Sequence, residues 1–275
     1  MSASFLRGRR IAITGAGRGI GLATAKALHA RGATVIVGDL DFESATTAAA
    51  VIGPGTEAYP VDVSDYESFA AFHKEATSHA PIDVLINNAG IMPIGHFLDQ
   101  SADKHRRAVE INVMGCINGM HLALPAMVER GRGHIINVAS SAGKTPVPGG
   151  LTYCGTKAAV IALTETARVE YADTGVQFTC VMPSFTNTEL IAGTSGLKFI
   201  PTAQPDDVAQ AIVHAVARPT ADVFVPKIVG PILNTQPLIG RRLRDVINKQ
   251  LGAYRTFIDF DPKARAEYQH RIDES

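Results

Sequence analysis

Tyr153 and Lys157 stand four residues apart in the stretch Tyr153-Cys154-Gly155-Thr156-Lys157. In a helix that spacing stacks two side chains on one face, a turn apart. The chemistry open to them is proton transfer. A free phenol titrates near about pH 10, too high for a base at neutral pH. An ammonium held beside it favours the phenolate and lowers that value. Such a pair can take a proton from an alcohol or return one to a carbonyl. The same spacing occurs on many surface helices, so its meaning depends on the elements that position it.

Those elements alternate along the chain. Residues 10–14, 33–38, 83–87, 134–138 and 176–182 are apolar runs of the kind buried on both faces of a parallel sheet. Between and after them, residues 20–31, 65–78, 101–130, 153–172 and 205–217 carry helical periodicity, the 101–130 segment with a break. Asp65 and Ser101 are placed as N-caps. Repeated strand–helix order predicts an α/β fold: one doubly wound parallel sheet with right-handed crossovers and helices on both faces. The expected division is one large α/β domain over residues 1–227 and a helical C-terminal extension packed on it over 228–275.

Bulk properties narrow the function classes. The 26 Lys and Arg balance the 26 Asp and Glu, so no basic excess is available for a general grip on nucleic acid. Residues 1–10 lack an apolar core after their basic residues, and no run reaches the length of a membrane span, so a signal peptide and a spanning helix are not expected. Cys116, Cys154 and Cys180 are odd in number and without a CxxC spacing, which fits a reducing, cytoplasmic setting rather than a disulfide framework or zinc site. Cys154 reads as a small space-filler, since nothing beside it lowers a thiol pKa. His96, His121 and His134 show no metal-ligand spacing and read as structural or surface residues.

Thr14-Gly15-Ala16-Gly17-Arg18-Gly19-Ile20-Gly21 lies between the first strand and the first helix. Glycine there permits a tight turn and lets the backbone approach a pyrophosphate at the helix N-terminus. The spacing of Gly15, Gly19 and Gly21 is G-x-x-x-G-x-G. Asp39 ends the second strand, 18 residues after Gly21. A carboxylate there can accept hydrogen bonds from the adenosine ribose of NAD, and it repels a 2′-phosphate. Arg18 pulls the other way, because a guanidinium can pair with that phosphate. Asp39 is weighted above Arg18, since Leu40 supplies no second cation, and NAD is preferred over NADP.

With these residues in order, the chain resembles the short-chain dehydrogenase/reductase family in its single-domain branch, over about residues 8–190, which implies that residues 1–227 form a Rossmann-type dinucleotide-binding and catalytic domain. Thr14 to Gly21 matches the family's cofactor loop, Asp62-Val63 its adenine-contacting pair, and Asn87-Asn88-Ala89-Gly90 its NNAG turn. Asn112, Ser140, Tyr153 and Lys157 match the catalytic set. The resemblance implies cofactor contacts from Gly15, Gly17, Arg18, Gly19, Ile20, Gly21, Asp39, Asp62, Val63, Asn88, Ala89, Gly90, Tyr153, Lys157, Pro183, Thr186 and Thr188. One departure stands out. Where the family reads Pro-Gly-x-x-x-Thr, this chain reads Pro183-Ser184-Phe185-Thr186-Asn187-Thr188, which removes glycine's backbone freedom near the nicotinamide.

By the same resemblance Ser140, 13 residues before Tyr153, holds the substrate oxygen and Ser141 is a loop serine. Lys157 lowers the Tyr153 pKa and bonds the nicotinamide ribose, and Asn112 holds a water that connects Lys157 to solvent. The hydride passes between the substrate and the cofactor, and no metal is required. The implied activity interconverts a secondary alcohol and a ketone. Relatives often assemble as homodimers or homotetramers through their long helices, here 101–130 and 153–172.

Substrate walls are expected from Met92, Pro93 and Ile94, from residues 142–150 with Val147 and Pro148, and from Phe185, Leu190, Ile191, Leu197, Phe199 and Ile200. This set is apolar, with Lys144 and Lys198 at its loop edges, which suggests a lipophilic substrate such as a lipid, retinoid or steroid. After a last strand at Val223 to Pro226, residues 237–252 form a basic amphipathic pattern. Leu238, Ile239, Leu243, Val246, Ile247 and Leu251 share one face, with Arg241, Arg242, Arg244 and Lys249 elsewhere. Such a helix can lie on an anionic membrane, pack on the domain, cap the substrate mouth or meet another subunit. Residues 262–272 form a short charged helix. Two other readings stay open: an NADPH-dependent ketoreductase, supported by Arg18, and a non-catalytic dinucleotide-binding regulator, which would predict a broken catalytic set. A sugar-nucleotide epimerase would need a larger C-terminal domain.

Overall fold

In the computed structural model, residues 6–196, 201–250, 252 and 254–274 are described. Leu197, Lys198, Phe199, Ile200 and Leu251, named above as pocket or helix residues, lie outside them, as does the Ile247 side chain. Seven strands form one sheet in the order β3-β2-β1-β4-β5-β6-β7: β1 (Arg10–Thr14), β2 (Thr34–Asp39), β3 (Glu57–Pro60), β4 (Val84–Asn87), β5 (Gly133–Val138), β6 (Val176–Pro183) and β7 (Asp222–Val225). Every pairing is parallel. The chain runs outward from β1 to β3, then returns to β4 on the other side of β1. The switch point between β1 and β4 opens a crevice at the carboxyl ends of the strands, where ligands of such sheets bind.

The connecting helices are α1 (Gly19–His29), α2 (Phe42–Ile52), α3 (Tyr66–Thr77), α4 (Ala102–Val109), α5 (Gly115–Glu129), α6 (Leu151–Glu170) and α7 (Pro205–Ala217). Successive strand residues point to opposite faces, so β1 feeds two cores. Ile11 and Ile13 pack with Leu28 of α1 and Ile212 of α7. Ala12 packs on the side of Phe69 and Phe72 of α3, Met127 of α5 and Val160 of α6. Asp65 caps α3 by accepting from the Glu67 and Ser68 amides, and Ser101 caps α4 by accepting from Lys104. The break expected in residues 101–130 is a π turn, Glu110–Met114, joining α4 to α5. The whole span is long and apolar enough to cross a bilayer, but 56% of its most apolar stretch is buried in the body of the protein.

The run-and-period pattern did not reveal α2 or β3. β3 is a four-residue edge strand that carries Glu57 and has no fully buried residue. α2 buries only Ala45 and Ala48, too narrow a stripe to register as a period.

After β7 the chain forms α8 (Val229–Thr235), α9 (Arg241–Gln250) and α10 (Pro262–Glu274). The described side chains of α9 are exposed or half-buried. α10 behaves differently: it buries Arg265, Tyr268 and Ile272 against the body. Just before it, Phe257 passes so close to Gly149 that a Cβ there would lie 2.6 Å from the Phe257 carbonyl. Gly149 also holds φ +83°, a conformation side chains rarely adopt. The extension is thus seated against the loop that leads into α6 and carries it toward Tyr153.

Candidate active site

One cavity of about 540 Å³ runs along the crevice. Its floor is the loop between β1 and α1. Gly15 (φ +63°) and Gly19 (φ +54°) turn the chain there, and a Cβ on Gly15 would lie 2.7 Å from the Ala89 Cα. That contact brings the loop against the Asn87–Gly90 turn. Asn88 laces the two together, its side-chain amide donating to the carbonyls of Thr14 and Gly15, both at 2.9 Å. The α1 N-terminus has no side-chain cap and no acidic residue in its first turn, so its amide end suits an anion. Gly15→Ala is therefore expected to lower stability by about 2–4 kcal/mol, since it combines a backbone clash with a strained φ; denaturant unfolding checks it.

Asp39 ends β2 at the far end of this cavity. Its Oδ2 accepts the Gly17 amide at 2.8 Å and its Oδ1 accepts the Asp41 amide at 3.2 Å, which leaves each oxygen a further lone pair. Arg18 is not free: its guanidinium donates to Asp41 at 2.6 Å and to Ser44 at 2.8 Å. Asp62 accepts from Ser64 and is 3.5 Å from Arg107, a cavity-lining cation that the sequence motifs did not single out.

At the other end stand the chemical groups. Tyr153, Ser140 and Lys157 are all buried and all line the cavity. Ser140 follows β5, and its Oγ accepts the Ala142 amide at 3.1 Å. Lys157 donates from Nζ to the Val138 carbonyl at 2.8 Å, and that Nζ is 5.9 Å from the centre of the Tyr153 ring. Burial pulls the Lys157 ammonium down to about 8, within reach of proton exchange near neutral pH. Burial also pushes the Tyr153 phenol up, against a downward pull from its hydrogen bond with Ser140. Desolvation is the larger of these two influences on the Tyr153 phenol.

Asn112 sits in the π turn, 3% exposed. Its amide accepts from Ile91 N at 2.8 Å and donates to Ile91 O at 2.9 Å and to Thr156 at 3.0 Å. Both side-chain protons are therefore committed to protein groups. Asn112 fixes the strand-end loop to α6 and lies outside the main cavity lining.

Of the residues implied for cofactor contact, Gly15, Arg18, Gly19, Ile20, Asp39, Asp62, Val63, Asn88, Ala89, Gly90, Tyr153, Lys157, Pro183, Thr186 and Thr188 line the one cavity. Gly17 and Gly21 do not. Gly17 gives its amide to Asp39, and a Cβ on Gly21 would lie 2.7 Å from both Ala16 Cα and the Asn88 amide nitrogen, so these two shape the loop. Thr188 faces Gly19 across the cleft: a Cβ on Gly19 would be 3.7 Å from the Thr188 methyl. Ser184 is accommodated, its amide donating to Val225 O at 2.7 Å. An uncapped helix end, a close-approaching glycine loop and a carboxylate beyond it together fit a dinucleotide.

The cavity wall beyond Ser140, Tyr153 and Lys157 is lined by Met92, Ala142, Val147, Phe185, Leu190 and Ile191, residues expected from the sequence to form the substrate wall. Ile94 packs in the cluster behind it rather than on its surface. Phe257, Tyr268, Arg271 and Ile272 complete the wall from the C-terminal extension. No local signal marked these four, because their positions depend on how α10 docks. Cys154 is pushed up by burial and Cys116 is pushed up to about 12 by the same cause, so neither is a ready thiolate. Among the described residues no cluster of metal-ligating side chains occurs.

A family model described as short chain dehydrogenase matches residues 9–195. The chain is 35% identical over 232 residues to "Probable oxidoreductase EphD" of Mycobacterium tuberculosis, covering 76% of this chain and 39% of that protein. It thus spans well under half the length of that relative. It is 36% identical over 227 residues to the ketoacyl reductase HetN of a Nostoc species (80% and 79% covered). Human estradiol 17-beta-dehydrogenase 11 is 28% identical over 252 residues (89% and 84% covered). The solved 3-ketoacyl-(acyl-carrier-protein) reductase from Brucella melitensis, complexed with NADH, superposes with a TM-score of 0.73 at 28% identity, covering 80% of this chain and 97% of that one. With the glycine loop, the seven-stranded parallel sheet and the Ser140–Tyr153–Lys157 group already in place, the match over residues 9–195 leads to one conclusion: the chain belongs to the short-chain dehydrogenase family.

Proposed function

We propose that the protein is an NAD(H)-dependent oxidoreductase that interconverts a lipophilic secondary alcohol and its ketone, with Tyr153 as general acid and base. The observation that carries this reading is the convergence of Tyr153, Ser140 and Lys157 at the apolar end of a cavity whose other end is Asp39. Held along the cavity from Asp39 to Lys157, a nicotinamide dinucleotide would supply or accept the hydride at the substrate carbon. Ser140 holds the substrate oxygen beside the phenol. Tyr153 gives its proton to the ketone oxygen in reduction and takes the alcohol proton in oxidation. Lys157, fixed by the Val138 carbonyl, stabilises the phenolate and can restore the proton. Asn112 is a positioning residue, tying Ile91 to Thr156. The intact set argues against a purely regulatory dinucleotide-binding protein.

Asp39 supports NAD over NADP: a 2′-phosphate would meet its carboxylate, and Arg18 would have to leave Asp41 to neutralise that phosphate. Asp39→Ala is expected to weaken NAD binding about 10- to 100-fold and to improve NADP use. Side-by-side titration of both cofactors checks it, and equal affinity of the unmutated protein for the two would overturn the NAD assignment. The runner-up, NADPH-dependent reduction of a ketoacyl group, draws on Arg18 and on the ketoacyl reductases among the relatives. A dimer or tetramer through the long helices is in keeping with exposed Val109, Met114, Leu151 and Val169 on and around them. Free Cys116, Cys154 and Cys180 suit a reducing compartment.

A further inference from the structure

Tyr268 brings a second phenol to the substrate end of the cavity. It comes from α10, yet it is 6% exposed and lines the same cavity as Tyr153. Its hydroxyl accepts the Met92 amide at 2.8 Å. A phenol has one proton to donate and lone pairs to accept, so this bond leaves the proton unspent. Among the described residues no acceptor takes it.

The ring is held in place. The Arg265 guanidinium lies 4.6 Å from its centre. Arg265 is itself fixed by the carbonyls of Met92 at 2.6 Å, Leu190 at 2.7 Å and Ala192 at 3.3 Å. It thereby ties α10 to both loops that flank the substrate, one after β4 and one after β6. The cavity wall on this side is apolar at Met92, Val147, Phe185 and Phe257, and its two charged members, Arg271 and Glu189, are paired with each other. A fixed polar proton in such a wall selects for a ligand acceptor, because a buried donor without a partner is costly.

We infer that Tyr268 is a specificity-determining residue that donates a hydrogen bond to a second oxygen of the substrate, distinct from the oxygen held by Ser140 and Tyr153. The preferred substrate is therefore a lipophilic ketone or alcohol bearing a further acceptor, such as a keto ester, rather than a simple ketone. This inference rests on the oxidoreductase reading above.

The test compares two probes of equal chain length, ethyl 3-oxohexanoate and 4-nonanone, reduced with NADH by the unmutated protein and by Tyr268→Phe. The unmutated protein is expected to show a KM for the keto ester about ten-fold or more below that for the ketone. Tyr268→Phe should raise the keto ester KM about 10- to 100-fold and change the ketone KM by less than about three-fold. Loss of the Met92 partner alone would move both probes alike, and that outcome overturns the inference, as does no change on either. In both of those cases turnover by the unmutated protein leaves the oxidoreductase reading standing. If Tyr268→Phe does not fold, the unmutated protein still decides: equal KM values for the two probes overturn the inference. No turnover of either probe by unmutated protein that binds NADH would overturn the inference and the proposed activity together.

Discussion

Tyr153→Phe lowers turnover by about 10²- to 10⁴-fold, the range contributed by a positioned general acid or base, while NAD binding and thermal stability stay close to those of the unmutated protein. The substitution removes one oxygen and keeps the ring that packs with Met92, Val147 and Phe185. It also removes a hydroxyl that burial holds in the neutral form, so its loss relieves a desolvation cost rather than exposing a charge. A structural role for Tyr153 would give the opposite pattern, with lower stability and modestly changed turnover. Steady-state kinetics in both directions, read with cofactor titration and a melting curve on the same preparation, separates the two. Turnover within about ten-fold of the unmutated protein would remove Tyr153 from the chemistry.

Arg265→Ala destabilises the fold by about 2–4 kcal/mol and raises substrate KM more than cofactor Kd. Arg265 is 1% exposed, and among the described residues no carboxylate pairs with it. Its charge is held by three backbone carbonyls and the face of Tyr268. Burial accordingly pulls its pKa below the usual guanidinium value. Truncation leaves the Met92, Leu190 and Ala192 carbonyls without this partner and opens a cavity beside Tyr268, which lines the main cavity. The dinucleotide end, from Gly15 to Asp39, has no contact with Arg265 and keeps its affinity. Arg265→Met tests the cause. A flexible apolar side chain refills the volume without the charge, and replacing a buried ion by packing is often near neutral for stability. Recovery of the melting temperature without recovery of KM would assign Arg265 to placement of α10 on the cavity wall. Denaturant unfolding and substrate titration supply both numbers.

Much of this protein was legible locally. The apolar runs became β1, β2, β4, β5 and β6 because a strand buried on both faces must be apolar along its length. The glycines at 15 and 19 marked a turn at positive φ, a backbone requirement that shows directly in residue type. Asp39, Ser140, Tyr153 and Lys157 were placed because strand ends and one helix turn are short-range geometry. Tertiary structure decided the rest. The burial that pushes the Tyr153 phenol up is set by packing, which spacing does not contain. Asn112 belongs to Ile91 and Thr156 through contacts across separate elements. Tyr268, 115 residues after Tyr153, sits on a helix that reads in sequence only as short and charged. It reaches the cavity only because Arg265, Phe257 and the Gly149 turn dock that helix there. Residue type and periodicity determine which segments fold and what their ends can bind. The position of the second phenol arises from long-range packing of the C-terminal segment against the loops at Met92, Gly149 and Leu190.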